Sequence, residues 1–293
     1  KIRLWYKARN ATFFWRVERV ILLNLILLGS TGFLGRFLKI SLQNIRGFQL
    51  ITPGRRELIK DGTIDKNFRE LLLRSDVLIN CIADTNFTSC DNSKVSEANE
   101  MIPELLEKFS SESLYKIHFS TDAFYEDRKN FSSEKSKLTI NSSYAKQKYN
   151  SEKFFLNNSV IIRTSFVGDN HRGTGMVNYV KDNNNKIIDG WNDVFTSSVH
   201  LKHIYDLVLE IIKRRPVGTY NFGTNAAYSK FDFLKSFCEK LKLPIKVKEV
   251  NASFNSSRNK NCGMDSRKIF QELNIDLPTF EDVVDQCALL FKL

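Results

Sequence analysis

Very little in this chain of 293 residues suggests covalent or metal cross-linking. Its five cysteines, at 81, 90, 238, 262 and 287, are odd in number, widely spaced and without a C-x-x-C pair. That pattern argues against a disulfide framework and against a cysteine-based zinc site, and it points to a reducing compartment, the cytoplasm. Long hydrophobic runs are missing as well. The longest, Val20 to Leu28, is broken by Asn24 and preceded by Arg16, Glu18 and Arg19, well short of the roughly 20 residues a membrane helix needs. No cleavable signal-peptide pattern, internal repeat or low-complexity linker is present. Acidic residues are in deficit: 33 Asp and Glu face 44 Lys and Arg, a formal charge of +11. The excess suits an anionic partner, whether nucleic acid, a lipid surface or a phosphorylated small molecule. With 42% hydrophobic and 26% charged residues the chain is a folded globular protein with one sizeable core or two modest ones.

The charge is unevenly placed. Residues 1–20 hold six cations against Glu18, interleaved with Trp5, Tyr6, Phe13, Phe14 and Trp15, and so carry +5 of the total. This stretch reads as a basic, aromatic extension packing on the body of the protein. The remainder is only moderately basic, so no nucleic-acid partner is expected.

From Leu22 onward, short apolar runs alternate with helix-length patterns. The candidate strands are Leu25–Leu28, Phe48–Thr52, Val77–Cys81, Tyr115–Phe119, Val160–Arg163 and Thr219–Phe222. Strand, helix, strand in this rhythm predicts an α/β fold, a Rossmann-like doubly wound parallel sheet. The expected division is a dinucleotide-binding domain over 21–165 and a smaller, partly interleaved substrate lobe over 166–293, with 195–223 returning to the first domain.

Directly after the first strand stands Gly29-Ser30-Thr31-Gly32-Phe33-Leu34-Gly35, a G-x-x-G-x-x-G that opens a helical pattern. Glycines are needed there because a Cβ would block the tight turn and the approach of a pyrophosphate to N–H groups at a helix start. Gly29, Thr31, Gly32, Phe33, Leu34 and Gly35 are therefore candidate cofactor contacts. The second strand runs into Thr52-Pro53-Gly54-Arg55-Arg56, where an NAD site would place an acid on the ribose 2′-hydroxyl. Arg55 and Arg56 would instead pair with a 2′-phosphate, which favours NADP(H), with NAD(H) as the second choice. Cys81, Ile82 and Ala83 follow the third strand at the sheet edge where a cofactor lies. The fourth strand ends His118-Phe119-Ser120-Thr121-Asp122 at the same edge.

Twenty-three residues past Thr121 comes Tyr144-Ala145-Lys146-Gln147-Lys148. A Tyr and a Lys four apart share a helical face, so the ammonium can lower the phenol from its ordinary pKa of about 10. Such a tyrosine can hand a proton to a carbonyl oxygen. Tyr125–Lys129 and Tyr149–Lys153 have the same spacing. Tyr125 falls in a loop, whereas Tyr144 follows the cap-like cluster Asn141-Ser142-Ser143 and shares its face with Lys148 and Glu152. Tyr149 lies about 140° round the same helix, so only one of the two can face the cleft.

With these residues the chain resembles the extended short-chain dehydrogenase/reductase superfamily and, within it, the dTDP-4-dehydrorhamnose reductase family. The resemblance is carried by GSTGFLG, NCIADTNFTSCD with Asn99 downstream, HFSTDAFYED, YAKQKYNSEK and IIRTSFVGD. It implies a catalytic trio of Thr121, Tyr144 and Lys148 and a nucleotide-diphosphate-sugar substrate. Thr121, Asp122, Ser165 and Phe166 would face the sugar and Arg258 its diphosphate. The implied reaction is NADPH-dependent reduction of a keto group, at C4, on a nucleotide-linked deoxysugar. Relatives with a non-catalytic regulatory role, or with epimerase or dehydratase activity, give the competing readings, and a homodimer is compatible with all of them. The chain departs from the family's usual residues at Ala123-Phe124-Tyr125, at Phe166 and at Thr63.

Other conspicuous residues read as structural. His200 and His203 sit at a helix start without acidic or cysteine partners, so no metal is expected. Lys213-Arg214-Arg215 reads as a helix C-terminus, and Phe231, Phe233 and Phe237 as a buried helix face.

Overall fold

The computed structural model describes residues 22–86, 90, 96–126, 131–184, 186–252 and 259–291. The extension over 1–20 and Arg258 lie outside the described residues. Six strands form a wholly parallel sheet: β1 (Leu23–Leu28), β2 (Phe48–Ile51), β3 (Val77–Asn80), β4 (Tyr115–Thr121), β5 (Ser159–Thr164) and β6 (Gly218–Phe222). Their spatial order is 2-1-3-4-5-6. The order reverses between β1 and β3, and a crevice at such a switch point is where ligands of open α/β sheets bind.

The strands are apolar runs because both faces are covered. Leu25 and Leu27 point into one core with α1 (Phe33–Leu42), α6 (Leu201–Arg214) and α8 (Arg267–Leu273). Ile26 and Leu28 point into another with α2 (Lys66–Arg74), α3 (Ile102–Phe109) and Phe155. This alternation is the period of two that a pleated strand imposes. Helix α4 (Ser143–Glu152) packs against β4.

A third core is centred on Val177, Val180, Phe233, Leu234, Phe237, Val283 and Val284. It is built by α5 (Met176–Asp182), α7 (Lys230–Lys240) and α9 (Phe280–Leu290) with short strand pairs such as Ile187–Trp191 on Lys246–Val250. Phe233 and Phe237 are fully buried there, and Phe231 is half-buried. His200 is the N-cap of α6: its Nδ1 accepts the Lys202 N–H at 3.1 Å. Lys213 and Arg214 occupy the last turn of α6, and Arg215 caps it in a left-handed conformation at φ 50°. All five cysteines are free thiols. No helix among the described residues is long and apolar enough to cross a membrane.

Candidate active site

The turn from β1 into α1 tolerates no side chain at two points. Gly29 has φ +73°, and a Cβ on it would lie 2.8 Å from the Cys81 carbonyl carbon. A Cβ on Gly35 would lie 2.1 Å from the Gly29 oxygen. The helix therefore starts against the strand end, and the loop after β3 passes directly beside it. No side chain caps α1, and its first turn holds no acid. The N–H groups around Phe33 and Leu34 thus remain available to an anion. Thr31 is exposed and Phe33 half-buried, while Leu34 is in the core.

At the end of β2, Arg55 and Arg56 open the one-turn helix Arg55–Leu58. The guanidinium of Arg55 is engaged by Glu97, with Nη2 to Oε1 at 2.8 Å, and Arg56 is exposed. Thr63 is an exposed residue of the adjacent Ile59–Lys60/Thr63–Ile64 hairpin.

The segment Cys81-Ile82-Ala83 is held from both sides. Asn80 Oδ1 accepts the Ile82 N–H at 3.1 Å. Fully buried Asn99 exchanges two bonds of 2.9 Å with the backbone of Asp84 and donates to Gln147 Oε1 at 3.0 Å. Asn99 thereby clamps the loop after β3 to α4. Burial pushes the Cys81 thiol up, so it stays protonated.

Helix α4 starts on Ser142, whose Oγ accepts the Ala145 N–H at 3.1 Å. Tyr144 falls in its first turn and is half-buried. One turn on, Lys148 is 2% exposed and its Nζ donates to the Phe119 carbonyl at 2.8 Å. Burial pulls this ammonium down to about 8, against the opposing pull of Glu152. Tyr149 lies edge-on to Phe124, at 6.1 Å, in a separate small core with Tyr125, Ala145 and Met264. The Tyr125 hydroxyl is buried between Arg163 Nη1 at 2.8 Å and Asn221 Oδ1 at 2.9 Å. Of the two spacings that lie on α4, Tyr144–Lys148 has its lysine bound to β4, whereas Tyr149 packs into the small core; Lys129 lies outside the described residues.

Two features had only a weak signal in the sequence. First, Asn80 Nδ2 lies 3.2 Å from His118 Nδ1, His118 Nε2 lies 3.0 Å from Ser151 Oγ, and Ser151 donates to the Lys148 carbonyl at 2.6 Å. An amide donor on Nδ1 fixes the neutral tautomer with the proton on Nε2. Burial, and then the Lys148 charge, hold His118 well below the usual imidazole range, in keeping with that tautomer. Second, Glu152 is buried, accepts Ser120 Oγ at 2.6 Å and pairs with the Arg163 fork at 2.7 Å.

Thr121 ends β4, buried, with Oγ1 accepting the Ala123 N–H at 3.2 Å. Asp122 follows, beside the hydroxyls of Thr121, Ser165 and Thr196. Ser165 is bound in turn by Ser198 Oγ at 2.7 Å. Thr196 and Ser198 come from a segment whose register with Ser165 no local pattern announces. The Phe166 ring packs on Phe33, with centroids 5.8 Å apart, joining the segment after β5 to the first residue of α1.

Burial pushes the Asp122 carboxyl up to about 7, outweighing the hydroxyl hydrogen bonds that oppose it. The folded chain therefore binds a proton here between the ordinary carboxylate range and pH 7 that the unfolded chain releases. Its contribution to stability is present at low pH and is lost as pH rises through that window. Asp122→Asn is expected to flatten this part of the stability–pH curve. Urea midpoints measured from pH 4 to 8 check it: an unchanged slope contradicts the assignment.

A parallel sheet with a glycine turn at its switch point, flanked on both faces by helices, makes a Rossmann-like doubly wound α/β fold. No protein-family model matches this sequence, and no curated protein matches it. Solved structures do match. The dTDP-4-dehydrorhamnose reductase of Bacillus anthracis, solved in complex with NADP, superposes with a TM-score of 0.79 at 20% identity, covering 92% of this chain and 99% of its own. The Clostridium acetobutylicum dTDP-4-dehydrorhamnose reductase gives 0.78 at 20% identity, with coverage of 92% and 99%. The Bacillus anthracis dTDP-glucose 4,6-dehydratase, in complex with NAD, gives 0.70 at 15% identity, with coverage of 91% and 96%. This chain thus shares its fold with enzymes that work on nucleotide-linked sugars.

Proposed function

We propose that the protein is an NADPH-dependent reductase of a keto group, at C4, on a nucleotide-diphosphate-linked deoxysugar. The observation that carries this reading is the placement of Thr121 and of Tyr144 with Lys148 at one sheet edge, beside a glycine turn that a single Cβ would fill. The site fits a dinucleotide: Gly29 and Gly35 leave the backbone open, and the uncapped start of α1 offers N–H donors to a diphosphate. NADPH, when bound, supplies the hydride. Tyr144 donates the proton to the carbonyl oxygen, and Thr121 holds that oxygen by a hydrogen bond. Lys148 stabilises the phenolate left behind, and the positive end of α4 adds to this. Asp122, Ser165, Phe166 and Arg258 are assigned to the sugar and its diphosphate. The similar folds of the Bacillus anthracis and Clostridium acetobutylicum dTDP-4-dehydrorhamnose reductases support this reading.

Following NADPH absorbance with a set of nucleotide-4-keto-sugars tests the activity. Failure to oxidise NADPH with every one of them would sink the proposal. For the cofactor, Glu97 already engages Arg55, so Arg56 is assigned to the 2′-phosphate. Arg56→Ala is expected to raise KM for NADPH about tenfold and leave that for NADH unchanged, since a charge-assisted bond to phosphate is lost in one case only. Equal effects on both cofactors would contradict the assignment.

A further inference from the structure

The segment after β5 carries one contact that the proposed reaction leaves unused. Arg172, in the loop between Phe166–Val167 and α5, reaches 141 positions back along the chain to donate from Nη2 to the Thr31 carbonyl at 3.4 Å. Thr31 is the middle of the glycine turn. We propose that Arg172 is a cofactor-binding residue that reaches this turn and pairs with the diphosphate of the dinucleotide beside the α1 N–H groups.

The loop is built to hold that position. Asn170 Oδ1 accepts the Arg172 N–H at 3.1 Å, and the Asn170 carbonyl accepts the Gly173 N–H at 2.9 Å. Asn170 Nδ2 donates to Thr174 Oγ1 at 2.8 Å. Asn178 of α5 locks the same residue, accepting its N–H at 2.9 Å and donating to its carbonyl at 3.0 Å. Gly173 at φ +72° and Gly175 at φ +101° take the left-handed conformations the loop needs. The neighbouring acid, Asp169, is neutralised by Lys181 at 2.6 Å. Arg172 itself is exposed, and one weak bond to a neutral carbonyl leaves the rest of its five-donor fork for an anion. Because the backbone is already fixed, little ordering is needed to use it.

This inference rests on the dinucleotide reading above and makes a different prediction from Arg56. Arg172→Ala is expected to weaken both NADPH and NADH by about tenfold, with a shallower salt dependence, because the diphosphate is common to both cofactors. Arg172→Lys should recover part of the loss. Titration calorimetry on the full chain reads these changes without turnover, and 2′-AMP, which has no diphosphate, should bind wild type and Arg172→Ala alike. Unchanged affinity of Arg172→Ala for both dinucleotides would overturn the inference alone. A matching loss for 2′-AMP would overturn it in favour of a distorted turn. Absence of NADPH and NADH binding by the wild-type chain would overturn the dinucleotide reading and this inference with it.

Discussion

Tyr144→Phe is expected to lower kcat by on the order of 10³-fold, within the range that removal of a general acid produces, while leaving the Kd for NADPH within about twofold. The substitution keeps the ring and removes only the hydroxyl. Lys148 should stay where it is, because its Nζ is held by the Phe119 carbonyl at 2.8 Å. The control is Tyr149→Phe. Tyr149 carries the same Tyr-x-x-x-Lys spacing but packs against Phe124 with the Lys153 ammonium 4.9 Å above its ring, so its loss should leave kcat unchanged. Steady-state rates with titrated NADPH binding decide the matter. Near-normal kcat in Tyr144→Phe, or a collapse in Tyr149→Phe, would reverse the assignment of the proton donor.

The second large effect is on stability. Arg163→Leu is expected to cost about 3–5 kcal/mol, because it strands the Glu152 charge in the interior. Both side chains of this pair are 7% exposed, and Arg163 also supplies a donor to the Tyr125 hydroxyl and packs over the Phe124 ring at 5.2 Å. The double variant Glu152→Leu/Arg163→Leu should recover much of the loss, since replacing a whole buried pair by apolar groups is far milder than breaking it. Urea midpoints for the single and double variants read this directly. A single variant as stable as wild type would mean that water reaches Glu152.

The sheet was legible because parallel strands are buried on both faces and so appear as uninterrupted apolar runs. Leu25–Leu28 and Val77–Ile79 are buried at every position and read as such runs, whereas Tyr115–Thr121, equally buried, is interrupted by Lys116, His118 and Ser120. The glycine turn was legible because steric exclusion selects one residue type, as the 2.1 Å approach at Gly35 requires. The hydroxyl cluster around Asp122 was only half visible. Ser165 belongs to a recognisable segment, but Thr196 and Ser198 reach it through a pairing of Phe166–Val167 with Val199–His200 that spans more than thirty residues. The Glu152–Arg163 pair had one weak signal, an arginine ending a buried apolar run, which requires a partner without naming it. His118 is similar: a strand position was readable, but its bonds to Asn80 and Ser151 come from two other elements.

The sixth strand has a consequence for how the molecule is made. β6 pairs along its whole length with β5, yet 53 residues separate the end of one from the start of the other. The first core also takes Ile269 and Leu273 from α8. A nascent chain leaving the ribosome therefore cannot finish the six-stranded sheet and its first core before Leu273 has been synthesised. Until then β5, which carries the apolar residues Val160 and Ile162, is an uncovered edge, a template for wrong pairing. A fragment ending at residue 165 should expose that edge permanently, and the two halves are expected to complete folding together rather than in sequence.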